Sequence, residues 1–305
     1  MGPFIRSKDT CNKMLIRLLI SLIPLIIYSI YKNGMSFVLV LLISVLFTFV
    51  FDFIYSILFN KKYLKESYSV IPGILLSLVL PSSVPLYGLV IGLVALSFSK
   101  ILLNKFDSNI INPVLIGYLV IFLLFTNLFN FQINSIIYFS LCVVAFLYLA
   151  LTKTIKWMIT ISYVLVVFLI NYVIGAYFDQ TLYYPLFHVL NGSLLFSSIY
   201  LATDSKSSTV TPLGQILQGI FLGIITVFLR YIGIDGVVIS LLIMNFLVPI
   251  LDSIGSKSRF NIFKSLGVFL AAWIFIVVIC LCFSLTRNVD TLPINDLNPD
   301  YIFRI

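Results

Sequence analysis

Two hydroxyl-rich turns interrupt an otherwise apolar sequence, and their side chains are the first candidates for ligand binding. The first turn lies in GILLSLVLPSSVPLYG (73–88), and the second lies in GSLLFSSIYLATDSKSSTVTPLG (192–214). Each turn ends a short apolar run and leads into another long apolar segment. Hydrophobic segments interrupted by Gly and Pro at corresponding places in two halves of a chain are typical of transporter binding sites.

Hydroxyls and freed backbone N–H groups in such turns can hydrogen-bond the carbonyl, hydroxyl or phosphate groups of a ligand. The alternative interpretation is that they cap the helix ends that the turns create. An Asn-Ile-Ile-Asn-Pro stretch precedes another apolar segment, although asparagine before proline is also an ordinary turn former. The candidate substrate-binding residues are Ser82, Ser83, Asn109, Asn112, Thr203, Asp204, Ser207, Ser208 and Thr209.

The composition is that of a membrane protein. Of 305 residues, 61% are hydrophobic and only 10% are charged, far from the balance of a soluble domain. Apolar stretches of about 17–25 residues are long enough to cross a bilayer as helices. The net charge of +8 is spread over short loops without a nucleic-acid-binding motif, so nucleic acid is not an expected partner.

Eleven apolar segments are predicted: 14–31, 36–60, 68–80, 86–104, 114–131, 135–151, 156–178, 186–202, 213–231, 234–252 and 264–285. A cytoplasmic N-terminus places fifteen of the nineteen Lys and Arg residues on the cytoplasmic side, as the positive-inside rule requires. The C-terminal tail then lies outside the cell. The prediction is a multi-pass protein of the bacterial plasma membrane.

Segments one to five and six to ten form two halves of opposite orientation, with the interrupted segment third in each. We therefore expect an all-α fold of two inverted five-helix repeats with broken half-helices, plus an extra C-terminal helix. The predicted parts are a cytoplasmic N-terminal segment (1–13), the first repeat (14–131), the second repeat (132–252), a loop with the extra helix (253–285) and an extracytoplasmic tail (286–305).

The remaining ionisable residues favour structural roles. Asp52 and Asp252 lie near the cytoplasmic ends of their segments, where they can snorkel or pair with lysines. His188, the only histidine, is expected to make a polar contact at a helix start, and Arg230 is expected to pair with Asp235. The four cysteines fit as apolar filling. No metal site is expected, and no hydrolase or ATPase motif is present, so catalytic residues are not expected.

Several ordered motifs are similar to the RnfD protein of the Rnf electron-transport complex, whose relatives include the NqrB protein of the sodium-pumping NADH:quinone reductase. They are PFIRSKD (3–9), LPSSVPL (80–86), NIINP (109–113), His188 with Gly192, ATD (202–204), TPLG (211–214), Arg230, Asp235 with Gly236, Asn245 and VPILD (248–252). The resemblance covers residues 3–260 with a gap. It implies a fold like that of urea and ammonium transporters.

The sequence departs from that family where flavin is attached. The family's electron carriers bear FMN on the threonine of a Ser-Gly-Ala-Thr type motif, followed by a Gly-Glu-Thr-Ser type loop. Neither motif occurs in residues 122–139, where Thr126 is the only threonine. The resemblance therefore implies no covalent cofactor, and riboflavin or FMN is expected only as a non-covalent ligand. The chain is similar in this respect to some stand-alone relatives of RnfD, which are associated with riboflavin uptake.

The favoured hypothesis is a membrane transporter of riboflavin or a related flavin, bound at the repeat interface, and not an enzyme. The alternative is an RnfD-like component of an Rnf-type ion-translocating electron-transport complex, acting as a redox or non-catalytic subunit. Transport of another small solute is a third hypothesis. The expected partners are the lipid bilayer, a small flavin and, under the alternative, other Rnf-type subunits or further copies of the chain.

Overall fold

The computed structural model describes residues 11–58, 70–81, 83–105, 111–125, 135–178, 183–190, 193–231 and 236–257. Within these residues it consists of eleven helices joined by turns and contains no strand. The helices are α1 (Cys11–Asn33), α2 (Met35–Leu58), α3 (Val70–Val79), α4 (Leu86–Lys105), α5 (Pro113–Leu124), α6 (Ile136–Leu151), α7 (Trp157–Tyr177), α8 (Tyr183–Leu190), α9 (Leu194–Tyr200), α10 (Pro212–Tyr231) and α11 (Val237–Lys257).

The helices follow the predicted apolar segments, with one difference. Segment 186–202 is not one helix but two, α8 and α9, and the sequence between them contains Asn191 and Gly192, which are poor helix formers. The predicted segment 264–285 and the tail lie outside the described residues. Within the described part of the chain, five helices (α1, α2, α7, α10 and α11) are long and apolar enough to cross a membrane. The chain is therefore a multi-pass helical membrane protein.

Two contacts between α1 and α6 define the ends of the helix bundle. The Arg17 guanidinium donates a hydrogen bond to the Thr152 carbonyl at 3.1 Å, and the Tyr28 and Ser135 hydroxyls are hydrogen-bonded. The two helices are therefore antiparallel. We call the end with Thr152 the Arg17 end. The other is the Gly34 end, after the glycine with a φ of +64° that turns the chain from α1 into α2.

Close packing of α7 against α10 depends on a glycine. A Cβ atom on Gly219 would overlap the Ser162 hydroxyl and would lie 2.7 Å from the Ile159 carbonyl oxygen. The hydroxyl can rotate away, but a backbone carbonyl in a helix cannot. Small residues at such positions let membrane helices approach closely.

Replacing Gly219 with alanine is therefore expected to force α7 and α10 apart. The free energy of unfolding should fall by about 1–3 kcal/mol, the usual cost of overpacking, measured by thermal unfolding of the purified protein in detergent. Phe221→Leu on the same helix is the control, because Phe221 is 40% exposed and its change should leave the midpoint temperature unaltered. Equal midpoints for Gly219→Ala and the wild type would contradict this packing.

Candidate functional site

The second hydroxyl-rich turn forms a compact segment between α9 and α10 at the Arg17 end of the bundle. Lys156, just before α7, donates from its ammonium to the Ser208 carbonyl at 2.9 Å and the Ser208 hydroxyl at 2.7 Å. Because Thr152 and Lys156 flank the same turn between α6 and α7, these contacts fix the segment to that end. We call residues 203–211 the Thr203–Thr211 segment.

The predicted site residues of this segment are hydrogen-bonded within the protein, and most are buried. Thr203 donates to the Ile199 carbonyl, Ser207 to the Asp204 carboxylate at 3.0 Å, and Ser208 to the Asp204 carbonyl. Thr203, Ser207, Ser208 and Thr209 are each at most 5% exposed. Their hydroxyl protons are thus used internally, so a ligand would have to reach them through oxygen lone pairs.

Two side chains from the following helices hold the backbone of this segment. The Gln218 side-chain oxygen accepts from both the N–H and the hydroxyl of Thr209, each at 2.9 Å. The Asp252 carboxylate accepts from the N–H of Val210 at 2.9 Å and from the N–H and hydroxyl of Thr211, each at 3.0 Å. Asp252 thereby caps the start of α10 from α11, a structural role that differs from the predicted snorkelling or pairing with a lysine.

Asn245 on α11 joins the Thr203–Thr211 segment to the first half of the chain. In the orientation that satisfies its neighbours, its amide nitrogen donates to the Ser207 carbonyl at 3.3 Å and its oxygen accepts from the Asn112 N–H at 3.3 Å. The Asn112 side chain accepts from the Val114 N–H at 3.0 Å and caps α5. Asn112 is therefore brought to the segment, whereas Asn109 lies outside the described residues.

The first hydroxyl-rich turn lies at the opposite end of the bundle. Pro81 and Val84 line a small cavity with Asn33 and Ser36, which flank the turn from α1 to α2. Arg17 and Asn33 are about 24 Å apart along α1 at 1.5 Å per residue. The exposed Ser83 is thus not brought together with the Thr203–Thr211 segment, and Ser82 lies outside the described residues.

The reason is the position of the half-helices along the bundle. A Cβ on Gly73 would contact Ser44 and Thr48, near the middle of α2, so α3 starts halfway along the bundle and ends at the Gly34 end. In the second half, α9 ends at the Arg17 end, where the Thr203–Thr211 segment begins. The two predicted turns are therefore the outer ends of two half-helices that start near the middle.

Charge at the Thr203–Thr211 segment is balanced by neighbouring groups. Burial lowers the pKa of Lys156, and the nearby carboxylates of Asp204 and Asp252 oppose that shift. Burial raises the pKa of Asp204, opposed by the Ser207 hydroxyl and by the charges of Lys206 and Lys156. The Lys156 ammonium and two carboxylates thus share one end of the bundle, an arrangement that orders the loop.

A second polar region surrounds the break between α8 and α9. The buried Arg230 donates to the carbonyl of His188. His188 lies in the last turn of α8, whereas the sequence pattern predicts that it lies at the start of a helix. The cationic side chain satisfies a carbonyl that the helix end leaves open. Asp235, the predicted partner of Arg230, lies outside the described residues.

Sequence reasoning identified one ion pair and missed several bridging side chains. Asp52 pairs with Lys100 at 2.5 Å, which confirms the expected pairing with a lysine. The sequence pattern does not predict the contacts of Lys156 and Gln218, and it marks Asn245 only as a residue of a family motif. The only signal in the sequence is the polarity of these side chains, since Gln218 and Asn245 are amides within long apolar segments.

Comparison with known proteins gives matches to one protein family along most of the chain. The sequence model of the NQR2, RnfD, RnfE family matches residues 1–136 and 135–261. The chain is 24% identical over 273 residues to the D subunit of the ion-translocating oxidoreductase complex of Methanosarcina acetivorans, covering 82% of this chain and 92% of that protein. It is 22% identical to the D subunit of the proton-translocating ferredoxin:NAD(+) oxidoreductase complex of Clostridium ljungdahlii, covering 85% and 95%. It is 24% identical to the Na(+)-translocating counterpart of Acetobacterium woodii, covering 86% and 95%.

Proposed function

Because the chain belongs to the NQR2, RnfD, RnfE family, we propose that it is an RnfD-type membrane component of an ion-translocating oxidoreductase complex. The observation that carries the proposal is the extent of the similarity. Three D subunits of such complexes align over 92–95% of their own length, so the resemblance is not confined to one shared motif. Its partners would be the other membrane subunits of such a complex.

The packing of the helices supports an inverted repeat as the framework of this protein. If α1 to α5 correspond to α6, α7, α9, α10 and α11, four helix contacts of the first set have counterparts in the second. The pairs α4–α5, α2–α3, α2–α4 and α3–α5 are in contact, and so are α10–α11, α7–α9, α7–α10 and α9–α11. The proposal keeps residues 14–131 and 132–252 as the repeats, with a cytoplasmic N-terminus and an extracytoplasmic C-terminus.

Any flavin is proposed to be bound without a covalent link. The chain lacks a Ser-Gly-Ala-Thr sequence, so the threonine ester of the resembling electron carriers has no counterpart here. The Thr203–Thr211 segment and Asn112 are the proposed ligand-facing residues, because they alone among the predicted candidates within the described part of the chain lie together. Ser83 belongs to a separate surface at the Gly34 end.

A transporter of riboflavin or a related flavin remains the second candidate. The missing attachment motif favours it, because a transported flavin must leave the protein again. It would use the same half-helices and needs no partner protein. The two candidates therefore differ in whether this chain works alone.

The deciding experiment purifies the chain, tagged at its own chromosomal locus, from native membranes in mild detergent. Mass spectrometry should identify other subunits of an ion-translocating oxidoreductase in stoichiometric amounts, and denatured protein should carry no flavin fluorescence. Lipid vesicles that contain only this chain should not accumulate labelled riboflavin. A chain that purifies without partners and imports riboflavin by itself would overturn the proposed membership of a complex in favour of the transporter.

A further inference from the structure

One face of α11 carries large apolar side chains that no helix in the described part of the chain covers. Ile243, Phe246, Ile250 and Ile254 are 42%, 62%, 55% and 46% exposed. Their spacings of three and four residues place them in one row along the helix, about 16 Å long at 1.5 Å per residue. We call these four residues the α11 stripe. It offers a continuous apolar surface on which a further helix can pack.

The chain that follows α11 has only a short distance in which to begin its next apolar segment. α11 ends at Lys257, and the predicted segment 264–285, which lies outside the described residues, begins after the six residues 258–263. Seven Cα steps from Lys257 span at most about 25 Å. Asp252, near the end of α11, binds the Thr203–Thr211 segment, so this connection starts at the Arg17 end of the bundle. Segment 264–285 therefore begins at that end as well.

Short connections usually join helices that are neighbours in space. Most consecutive helices joined by one to seven residues follow this rule in the described part of the chain, since α1–α2, α4–α5, α7–α8, α8–α9 and α10–α11 are in contact. Segment 264–285 has 22 residues and no charged side chain after Lys264, which is long and apolar enough to cross a bilayer as a helix. We therefore expect it to return antiparallel beside α11.

Small residues of segment 264–285 match the α11 stripe in depth. Counted from the two ends of the connection, Gly267 is level with Ile254, each three residues into its helix, and Ala271 is level with Ile250, each seven residues in. Small residues four apart lie on one helix face and let a second membrane helix approach closely. The large side chains of the stripe would then meet a face that has room for them.

We propose that residues 264–285 form a helix that packs antiparallel on the α11 stripe, with Gly267 and Ala271 against Ile254 and Ile250. The stripe is then covered by the chain's own C-terminal region and is closed to partner proteins, which must bind other helices. The proposal holds whether the chain works in a complex or alone, because neither proposed function assigns a place to the extra helix.

Disulfide cross-linking of the full chain in native membranes tests this contact. The four native cysteines are first replaced by alanine. Ile250→Cys/Ala271→Cys is then oxidised with copper phenanthroline, and the linked tryptic peptides are quantified by mass spectrometry. A second pair, Ile243→Cys/Val278→Cys, is fourteen residues into both helices and tests the same face nearer the Gly34 end. Both pairs should form a disulfide within one chain.

The matched control is Ile57→Cys/Ala271→Cys, because Ile57 is 60% exposed and lies at the same end of the bundle on a different helix, α2. Both α11 pairs should cross-link at least about tenfold faster than this control, since cysteines whose Cα atoms are more than about 7 Å apart cannot be joined without backbone movement. Equal rates in the control and the α11 pairs would overturn the proposal. Failure of both α11 pairs would also overturn it and would mean that the stripe faces lipid. Links between two chains, seen as a doubled mass on a non-reducing gel, would replace it with an interface between copies.

Discussion

Asp52→Asn is expected to lower the free energy of unfolding by about 3–5 kcal/mol, and Lys100→Met in the same chain should restore most of that loss. The Asp52 carboxylate on α2 and the Lys100 ammonium on α4 are 2.5 Å apart, with side chains only 7% and 14% exposed. Removing one partner leaves the other as an uncompensated buried charge, whereas removing both leaves none. The expected loss for Asp52→Asn is large because the Lys100 charge is then left buried without a partner.

The measurement is a double-mutant cycle of thermal unfolding in detergent, with the wild type, Asp52→Asn, Lys100→Met and the double variant. The coupling between the two positions should exceed about 1 kcal/mol, well above the error of adding independent changes. Ser256→Ala, an exposed change on α11, serves as the control and should leave the midpoint unaltered. If the two single changes simply add, Asp52 and Lys100 do not act as a pair.

The order of the helices, but not their number, could be predicted from the sequence because a bilayer constrains the length of each apolar run. That constraint located the segments that correspond to α1 through α11 without any knowledge of their packing. It did not reveal that 186–202 divides at Leu190 and Ser193, since an apolar run interrupted by Asn191 and Gly192 keeps the average hydropathy of a span. Averaging over a window hides a break of two residues.

The depth of each turn could not be predicted, because hydropathy gives the length of a segment but not where it starts along the bundle. Ser83 and Thr209 both follow short apolar runs, and the sequence pattern predicts that they line one site. The contact of Gly73 with Ser44 and Thr48 and the bond from Lys156 to Ser208 place these turns at opposite ends. Only contacts between helices distant in sequence carry that information.

The same limit applies to the hydrogen bonds of the candidate site. Gln218 holds Thr209 from nine residues away, but Asn245 joins Ser207 to Asn112, which lies 133 residues before Asn245 in the sequence. A single sequence shows that an amide side chain lies within an apolar segment, which predicts that the amide is hydrogen-bonded to some partner. It does not identify the partner.

Asp252→Ala is expected to release the Thr203–Thr211 segment from the Arg17 end while the helices stay inserted. One carboxylate accepts from the N–H groups of Val210 and Thr211 and from the Thr211 hydroxyl. The alanine variant removes hydrogen bonds to a charged group, each of which contributes about 1.5–3 kcal/mol, with the lower end expected here because Val210 is 72% exposed. The position is tight as well, since a Cβ on Gly255 would overlap the Thr211 side chain.

Trypsin reports this opening directly, because Lys206 is exposed within the segment and cleavage requires the surrounding backbone to open. Each 1.4 kcal/mol by which opening becomes easier should raise the cleavage rate about tenfold when opening and closing are fast. Asp252→Ala should therefore be cut after Lys206 at least tenfold faster than the wild type.

Asp252→Asn keeps one acceptor oxygen, so its cleavage rate should lie between those of Asp252→Ala and the wild type. Ser253, the next residue on α11, is exposed, and its hydroxyl donates only to the Ile250 carbonyl among the described contacts, so Ser253→Ala should match the wild type. Equal cleavage of Asp252→Ala and Ser253→Ala would mean that Lys156 and Gln218 hold the segment without help from Asp252.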